Sequence, residues 1–173
     1  MQSKKKFVSE STVVKNELLM PNDTNMINNL MGGKMMYWMD ICAGIAAQKH
    51  SEAVAVTASV DNISFKQPIE LGSVVTLTAT VTRAFTSSME VYIEVIAENI
   101  PNKTRFVSNS AFFTFVAIDE KGEPTVVPEA IPQTDSEKEL FAGALRRRQL
   151  RLIFAGRLKP KDAFELKSLF DQV

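Results

Sequence analysis

Between Met31 and His50 the chain runs without a proline, and apolar side chains fall on almost every turn: Met35-Met36-Tyr37-Trp38-Met39, then Ile41-Cys42-Ala43, then Ile45-Ala46-Ala47. That length without a break reads as helix, since strands rarely exceed about ten residues. A helix with apolar residues on nearly all sides belongs inside a core, because a surface helix keeps one polar face. The rest of the chain must therefore supply something to enclose it.

The flanking segments have a period of two. Val13, Val14, Leu18 and Leu19 mark a first strand between about Ser11 and Met20, and Pro21-Asn22-Asp23-Thr24-Asn25 ends it with turn-forming residues. After the helix, Val54 to Val60 and Ile63-Ser64-Phe65 alternate, and Gln67 to Gly72 turns the chain. Val75 to Val81, Met89 to Val95 and Phe106 to Ile118 follow as strands, the last two separated by Ile100-Pro101-Asn102-Lys103. Consecutive strands with short connections are expected to pair as an antiparallel meander, one face toward a core and the other wetter. Beyond Glu120-Lys121-Gly122-Glu123-Pro124, Pro128 and Pro132 mark an extended arm. A helix capped by Asp135 or Ser136 then runs through Leu140 and Leu145 into Arg146-Arg147-Arg148, Pro160 interrupts it, and a short amphipathic piece from Ala163 to Phe170 follows. The expected division is a domain over 8–125 and a C-terminal arm with helices over 126–173.

Charge and rare residues remove several functions. Twenty Lys+Arg balance 20 Asp+Glu over 173 residues, so no strong field is present to hold a nucleic acid backbone. One Cys and one His cannot build an ordinary zinc site, and one Cys cannot form an internal disulfide. No apolar run approaches the eighteen or so residues that span a bilayer, and the lysines near Met1 have no apolar stretch behind them. A cytoplasmic protein without membrane insertion is expected.

One helix wrapped by a curved antiparallel sheet is the hotdog arrangement, of class α+β, here with a C-terminal helical extension. Seven strings occur in order: Pro21-Asn22-Asp23-Thr24-Asn25; Met31-Gly32-Gly33; Trp38-Met39-Asp40; Val56 to Asp61; Phe65, Pro68, Ile69 and Gly72; Ser88-Met89-Glu90-Val91; and Phe115-Val116-Ala117. Together, over about residues 10 to 120, they resemble the acyl-CoA thioester hydrolases of the hotdog superfamily. The resemblance implies hydrolysis of acyl-CoA to free fatty acid and CoA, with no metal or redox cofactor, in subunits that often assemble as trimers of dimers. A homohexamer is the implied assembly.

Such a reaction needs a group to activate water or attack the carbonyl, and donors for the oxyanion. Asp40 is the one acid between Asp23 and Glu52, on a helix that is otherwise apolar. Desolvation there would raise its pKa and make it a better base, unless it only anchors backbone. Gly32-Gly33 opens the same helix, where free N–H groups and the positive dipole end favour an anion, although two glycines can also simply turn a loop into a helix. The resemblance places a functional asparagine at Asn25, which also suits a turn. Asn28 and Asn29 replace the glycine-rich spelling of many family members.

Asp40 lies seven residues after Gly33, which is about 10 Å along a straight helix. One carbonyl needs contacts of roughly 3 Å to each, so if both act they come from two chains. A two-fold dimer follows, each site taking Asp40 from one subunit and Gly33 from the other.

For CoA, Thr57 and Ser59 on one strand, and Ser87, Ser88 and Met89 on another, are candidates to line the pantetheine arm. Arg146, Arg147, Arg148 and Arg151 are candidates for its phosphates, or form a solvated helix face, since consecutive residues point about 100° apart. His50, at the end of the helix, reads as a hydrogen-bonding or cationic partner of the dipole, and its position opposes a hotdog dehydratase. Cys42 reads as buried and unactivated. The competing function is a non-catalytic acyl-CoA binding protein, which would not need Asp40.

Overall fold

A computed structural model describes residues 4–61, 63, 65 and 67–168. The elements are β1 (Lys5–Phe7), α1 (Val8–Ser11), β2 (Val13–Leu18), α2 (Gly32–Ser51), β3 (Val54–Val60), β4 (Val74–Ala84), β5 (Ser88–Asn99), β6 (Thr104–Ile118), β7 (Glu129–Ile131), α3 (Asp135–Phe154) and α4 (Phe164–Lys167). They divide into two compact units, 1–131 and 132–173.

The first unit holds a five-stranded antiparallel sheet in the order β2-β4-β5-β6-β3. The expected meander is present from β4 to β6. It does not extend to β3, which lies beside β6 at the far edge while β2 holds the other edge against β4. The reason is α2: the chain leaves β2, packs the helix against the sheet, and enters β3 on the opposite side. The alternation read at Ile63-Ser64-Phe65 is not a strand at Ile63 or Phe65, and position 64 lies outside the described residues.

One face of α2 meets the sheet. Met35, Trp38, Met39, Cys42, Ala43, Ala46 and Ala47 recur at helical spacing and are buried. They pack with Leu77, Ile93, Phe113 and Phe115, which alternate inward from the strands. Full burial of a side chain the size of Met39 or Phe113 contributes about 1.5–3 kcal/mol. The three alanines let helix and sheet approach closely, and a leucine at Ala43 would cost about 1–3 kcal/mol through overpacking. The helix is thus packed against the curved sheet as expected, and its opposite face is open in the single chain, with Met36, Tyr37 and Ile45 exposed. A single sheet layer covers only one side of a helix.

The C-terminal end of α2 is tied down from three directions. Glu52 takes a left-handed φ of 57° and its N–H caps the Gln48 carbonyl. Lys6 donates to the Lys49 carbonyl. His50 is fully buried, with Nδ1 3.2 Å from Ser11 Oγ and Nε2 3.0 Å from the Pro128 carbonyl, so it bridges α1 to the segment before β7. β7 pairs in parallel with β1, and Val127 N–H donates to the Thr86 carbonyl, so residues 126–131 belong with the sheet unit.

In the second unit α3 is capped by Thr134, not by Asp135 or Ser136. Glu137 N–H donates to Thr134 Oγ1 at 3.2 Å, and Glu137 Oε2 accepts from Thr134 N–H at 3.1 Å, a reciprocal pair that outcompetes a cap one residue later. The helix ends at Phe154, ahead of Pro160, because Gly156 adopts φ 67° and turns the chain. The closing piece is a single turn, α4, and the end of the range expected for it lies outside the described residues.

Candidate active site

Asp40 sits at the middle of α2, on the boundary of its open face, half-buried in the single chain. Thr57 Oγ1 donates to Asp40 Oδ1 at 2.6 Å. Period-two reading places Thr57 and Ser59 on the same side of β3, but the strand carries a bulge between them. Thr57 faces Phe115 on the helix side, whereas Ser59 is opposite Thr114 on the outer face, and Ala58 is the extra residue. The pantetheine-lining pair expected from the strand pattern is thereby split. What the strand pattern missed is the bond from Thr57 to the carboxylate. Thr is common in strands and no local signal marks this one.

Gly32 and Gly33 are the first two residues of α2, and no side chain caps this end. Leading N–H groups of an uncapped helix point outward with the positive end of the dipole. The two glycines differ. A Cβ on Gly32 would come 3.0 Å from the Phe65 ring, while a Cβ on Gly33 would meet nothing within 4 Å. The backbone at Gly33 is open to a ligand, and Asp40 lies two turns further along the same unbroken helix.

Asn25 organises the loop ahead of the helix. Its Oδ1 accepts from Ile27 N–H at 3.0 Å and from Asn29 N–H at 3.1 Å. Among the described residues no partner takes its Nδ2, so the amide donors of an exposed side chain are left for a ligand. Asn28, in the stretch where the resemblance expects glycine, takes a left-handed φ of 57°, which asparagine tolerates better than most residues. Asn29 bridges to Glu70, and Leu71 N–H donates to the Asn28 carbonyl.

Ser87 and Ser88 are half-buried at the β4–β5 hairpin, whereas Met89 is completely buried in the core and offers a ligand no surface, as the inward-facing neighbour of Ser88. In the second unit Arg147 folds back along α3: its Nη2 donates to the Leu140 carbonyl at 2.6 Å and its guanidinium covers Gly143. Burial, then repulsion from Arg151 and Arg157, lowers the pKa of Arg148. Cys42 is fully buried, its thiol pushed up to about 11 chiefly by burial, which removes it as a nucleophile.

A helix laid across an antiparallel sheet, with a carboxylate at the edge of its open face and a bare helix N-terminus, defines the hotdog class of domain. Residues 27–102 match the family model of the thioesterase superfamily. The uncharacterized acyl-CoA thioester hydrolase YkhA of Bacillus subtilis (strain 168) is 42% identical over 142 residues, 82% of this chain and 83% of the relative. The cytosolic acyl coenzyme A thioester hydrolase of Rattus norvegicus is 35% identical over 88% of this chain, which spans only 40% of that longer protein. An apo hexameric acyl-CoA thioesterase superposes with a TM-score of 0.86 at 36% identity, covering 88% of this chain and 97% of the other. The acyl-CoA hydrolase of Staphylococcus aureus, solved with butyryl coenzyme A, coenzyme A and coenzyme A disulfide, gives 0.81 at 36% identity, covering 88% and 95%. It has also been solved with an asparagine, an aspartate or a threonine replaced by alanine. The chain belongs to the acyl-CoA thioester hydrolases of the thioesterase superfamily.

Proposed function

We propose that the chain hydrolyses acyl-CoA thioesters to free fatty acid and CoA at sites shared between two copies of itself. The observation that carries this is the Thr57–Asp40 bond at the margin of the open face of α2. With Oδ1 held by the hydroxyl, Oδ2 is free to take a proton from water or to attack the acyl carbon. In the first case water oxygen bonds the carbonyl carbon, its proton passes to Asp40, and the C–S bond breaks as CoA thiolate leaves and is reprotonated. In the second an acyl–Asp40 anhydride forms, CoA thiolate leaves, and water releases the acid. Either route builds negative charge on the carbonyl oxygen, which Gly33 N–H is oriented to receive, with Gly32 beside it. Asn25 Nδ2 supplies a further donor that orients water or the carbonyl. The reaction so drawn uses water and the chain's own groups.

Support for the residue set comes from spacing. In the Staphylococcus aureus enzyme the three replaced residues are separated by fifteen and seventeen positions, and so are Asn25, Asp40 and Thr57. Support for a shared site comes from the separation of Gly33 and Asp40 on one straight helix. Exposed Val54, Val56 and Val60 on β3, an edge strand with unpaired backbone, and the uncovered face of α2 suit a second copy. A homohexamer built as a trimer of such dimers is in keeping with the hexameric neighbour. Ser87 and Ser88 remain the pantetheine candidates, and the arginines Arg146, Arg148 and Arg151, with Arg147 once released from Leu140, the phosphate candidates. A cytoplasmic setting accords with the cytosolic relative; among the described residues no helix is long and apolar enough to cross a membrane.

The test is thiol release from acetyl-, butyryl-, hexanoyl- and palmitoyl-CoA by wild type and Asp40→Asn. Turnover that falls by about a hundredfold or more in the variant is expected, the scale of a lost general base. Undiminished turnover overturns the assignment of Asp40. CoA bound without turnover in the wild type would indicate the non-catalytic binding protein.

A further inference from the structure

Asp23 and Lys34 stand outside the catalytic set and touch both of the segments that carry it. Lys34 is the third residue of α2, next to Gly33, and a cation there opposes the helix dipole; the first turn carries no acid. Its placement therefore needs another cause. Lys34 Nζ lies 2.9 Å from Asp23 Oδ1, and the ammonium stands over two rings of its own helix, 5.5 Å from the Tyr37 centroid and 5.6 Å from that of Trp38. Trp38 is buried in the core and makes a rigid platform. The hydrogen bond from Lys34 to Asp23 is the leading cause of a pKa raised above the usual lysine value.

Asp23 is held at three points, one of them its own N–H, which donates to the Met20 carbonyl at 2.9 Å. Besides the ion pair, its carbonyl accepts Met31 N–H at 3.0 Å, just ahead of the helix. Its side chain is only 15% exposed and that of Lys34 33%, so the pair is better shielded than the fully exposed pairs whose contribution is lost to screening. Two residues on, Asn25 closes its loop by exchanging backbone bonds with Asn29 at 2.7 Å and Asn28 at 3.0 Å. The loop is thus a closed turn fixed to the helix N-terminus through Asp23.

We infer that the Asp23–Lys34 ion pair is a strut that positions Asn25 against the N-terminus of α2, holding the side-chain donor and the Gly33 amide in one fixed relation. This assigns both residues as positioning residues, and it rests on the site described under Proposed function. Misplacement of a reacting group by about 1 Å can cost about a hundredfold in rate, which is the scale on which such a strut acts.

The test compares wild type, Lys34→Met, Asp23→Asn, Lys34→Arg and the exchanged pair Asp23→Lys with Lys34→Asp. Two readouts are taken: amide hydrogen exchange at Ile27 and Asn29, whose N–H groups bind Asn25 Oδ1, and kcat and KM on butyryl-CoA. Expected in the two neutral variants are faster exchange at both amides and a kcat about ten- to a hundredfold lower with KM nearly unchanged. Lys34→Arg should retain wild-type exchange, and the exchanged pair should recover most of both readouts, which a simple loss of packing would not. Unchanged exchange in both neutral variants overturns the strut, and faster exchange with unchanged kcat overturns its positioning role. If the wild type turned over no acyl-CoA, the hydrolase reading would fall with the positioning role, while exchange would still decide whether the strut exists.

Discussion

Thr57 and Gly33 allow the chemistry to be separated from the scaffold one side chain at a time. Thr57→Val keeps the shape and removes the donor to Asp40. A hydrogen bond to a charged group is worth about 1.5–3 kcal/mol, so kcat should fall about ten- to a hundredfold by thiol release, and Thr57→Ser should restore most of it. Gly33→Ala tests the other half. Because an added Cβ meets nothing within the chain, thermal denaturation should show stability unchanged or slightly raised, in line with alanine's helix preference. Turnover should fall if Gly33 N–H receives the oxyanion as proposed, since the methyl group would crowd its approach; a variant as active as wild type would remove Gly33 from the mechanism. At this scale the acid and the double glycine stand out as candidates by residue type, whereas Asn25 is singled out only by the family resemblance, since an asparagine after Pro21-Asn22-Asp23-Thr24 reads by itself as a turn residue. The Thr57 bond is not legible, because it is made across the fold to α2 and nothing in Val54-Ala55-Val56-Thr57-Ala58-Ser59-Val60 marks which polar side chain makes it.

The element that organises the unit is α2, and its C-terminal end carries a titration of its own. Burial, only partly offset by the bond to the Pro128 carbonyl, lowers the pKa of His50 below the ordinary 6.5. Above pH 6.5 the histidine is neutral in folded and unfolded chains and its contribution is present in full. As pH falls below 6.5 the unfolded chain takes up the proton first, so stability is lost until the depressed folded pKa is passed. Thermal midpoints measured from pH 8 to pH 5 should decline at the acid end, and His50→Gln should flatten that decline. Lys6, Glu10 and Glu52 also face the ring and set where the loss falls. The extent of α2, the bounding strands and the turn at Gly72 were readable from period and punctuation. The place of β3 at the far edge was not, since strand order is a property of which residues meet across the sheet and leaves no trace in local alternation.

For the whole molecule, a site divided between two chains predicts complementation. Gly33→Val and Asp40→Asn, each inactive alone, should regain activity when unfolded and refolded together. In a random mixture half of the dimers pair one of each, and one of their two sites is then intact, so recovery should approach about a quarter of wild type. No recovery, with mixed dimers shown to form by mass spectrometry, would place both groups in the same chain's site. Val56→Lys on β3 should shift the protein toward monomer in sedimentation and abolish turnover, because a charge on an edge strand opposes strand pairing.

Such a β3 edge, with valines beside free backbone groups, has a meaning for the chain's history before it meets a copy of itself. If β3 is the seam between copies, a newly made subunit presents that edge strand uncovered from the moment it folds. It is exposed to wrong partners for as long as the search for the right one takes. On the dimer proposed above, abundance would set fidelity as well as amount: at low expression the waiting time lengthens, and a border meant to complete the enzyme becomes the place where stray chains catch.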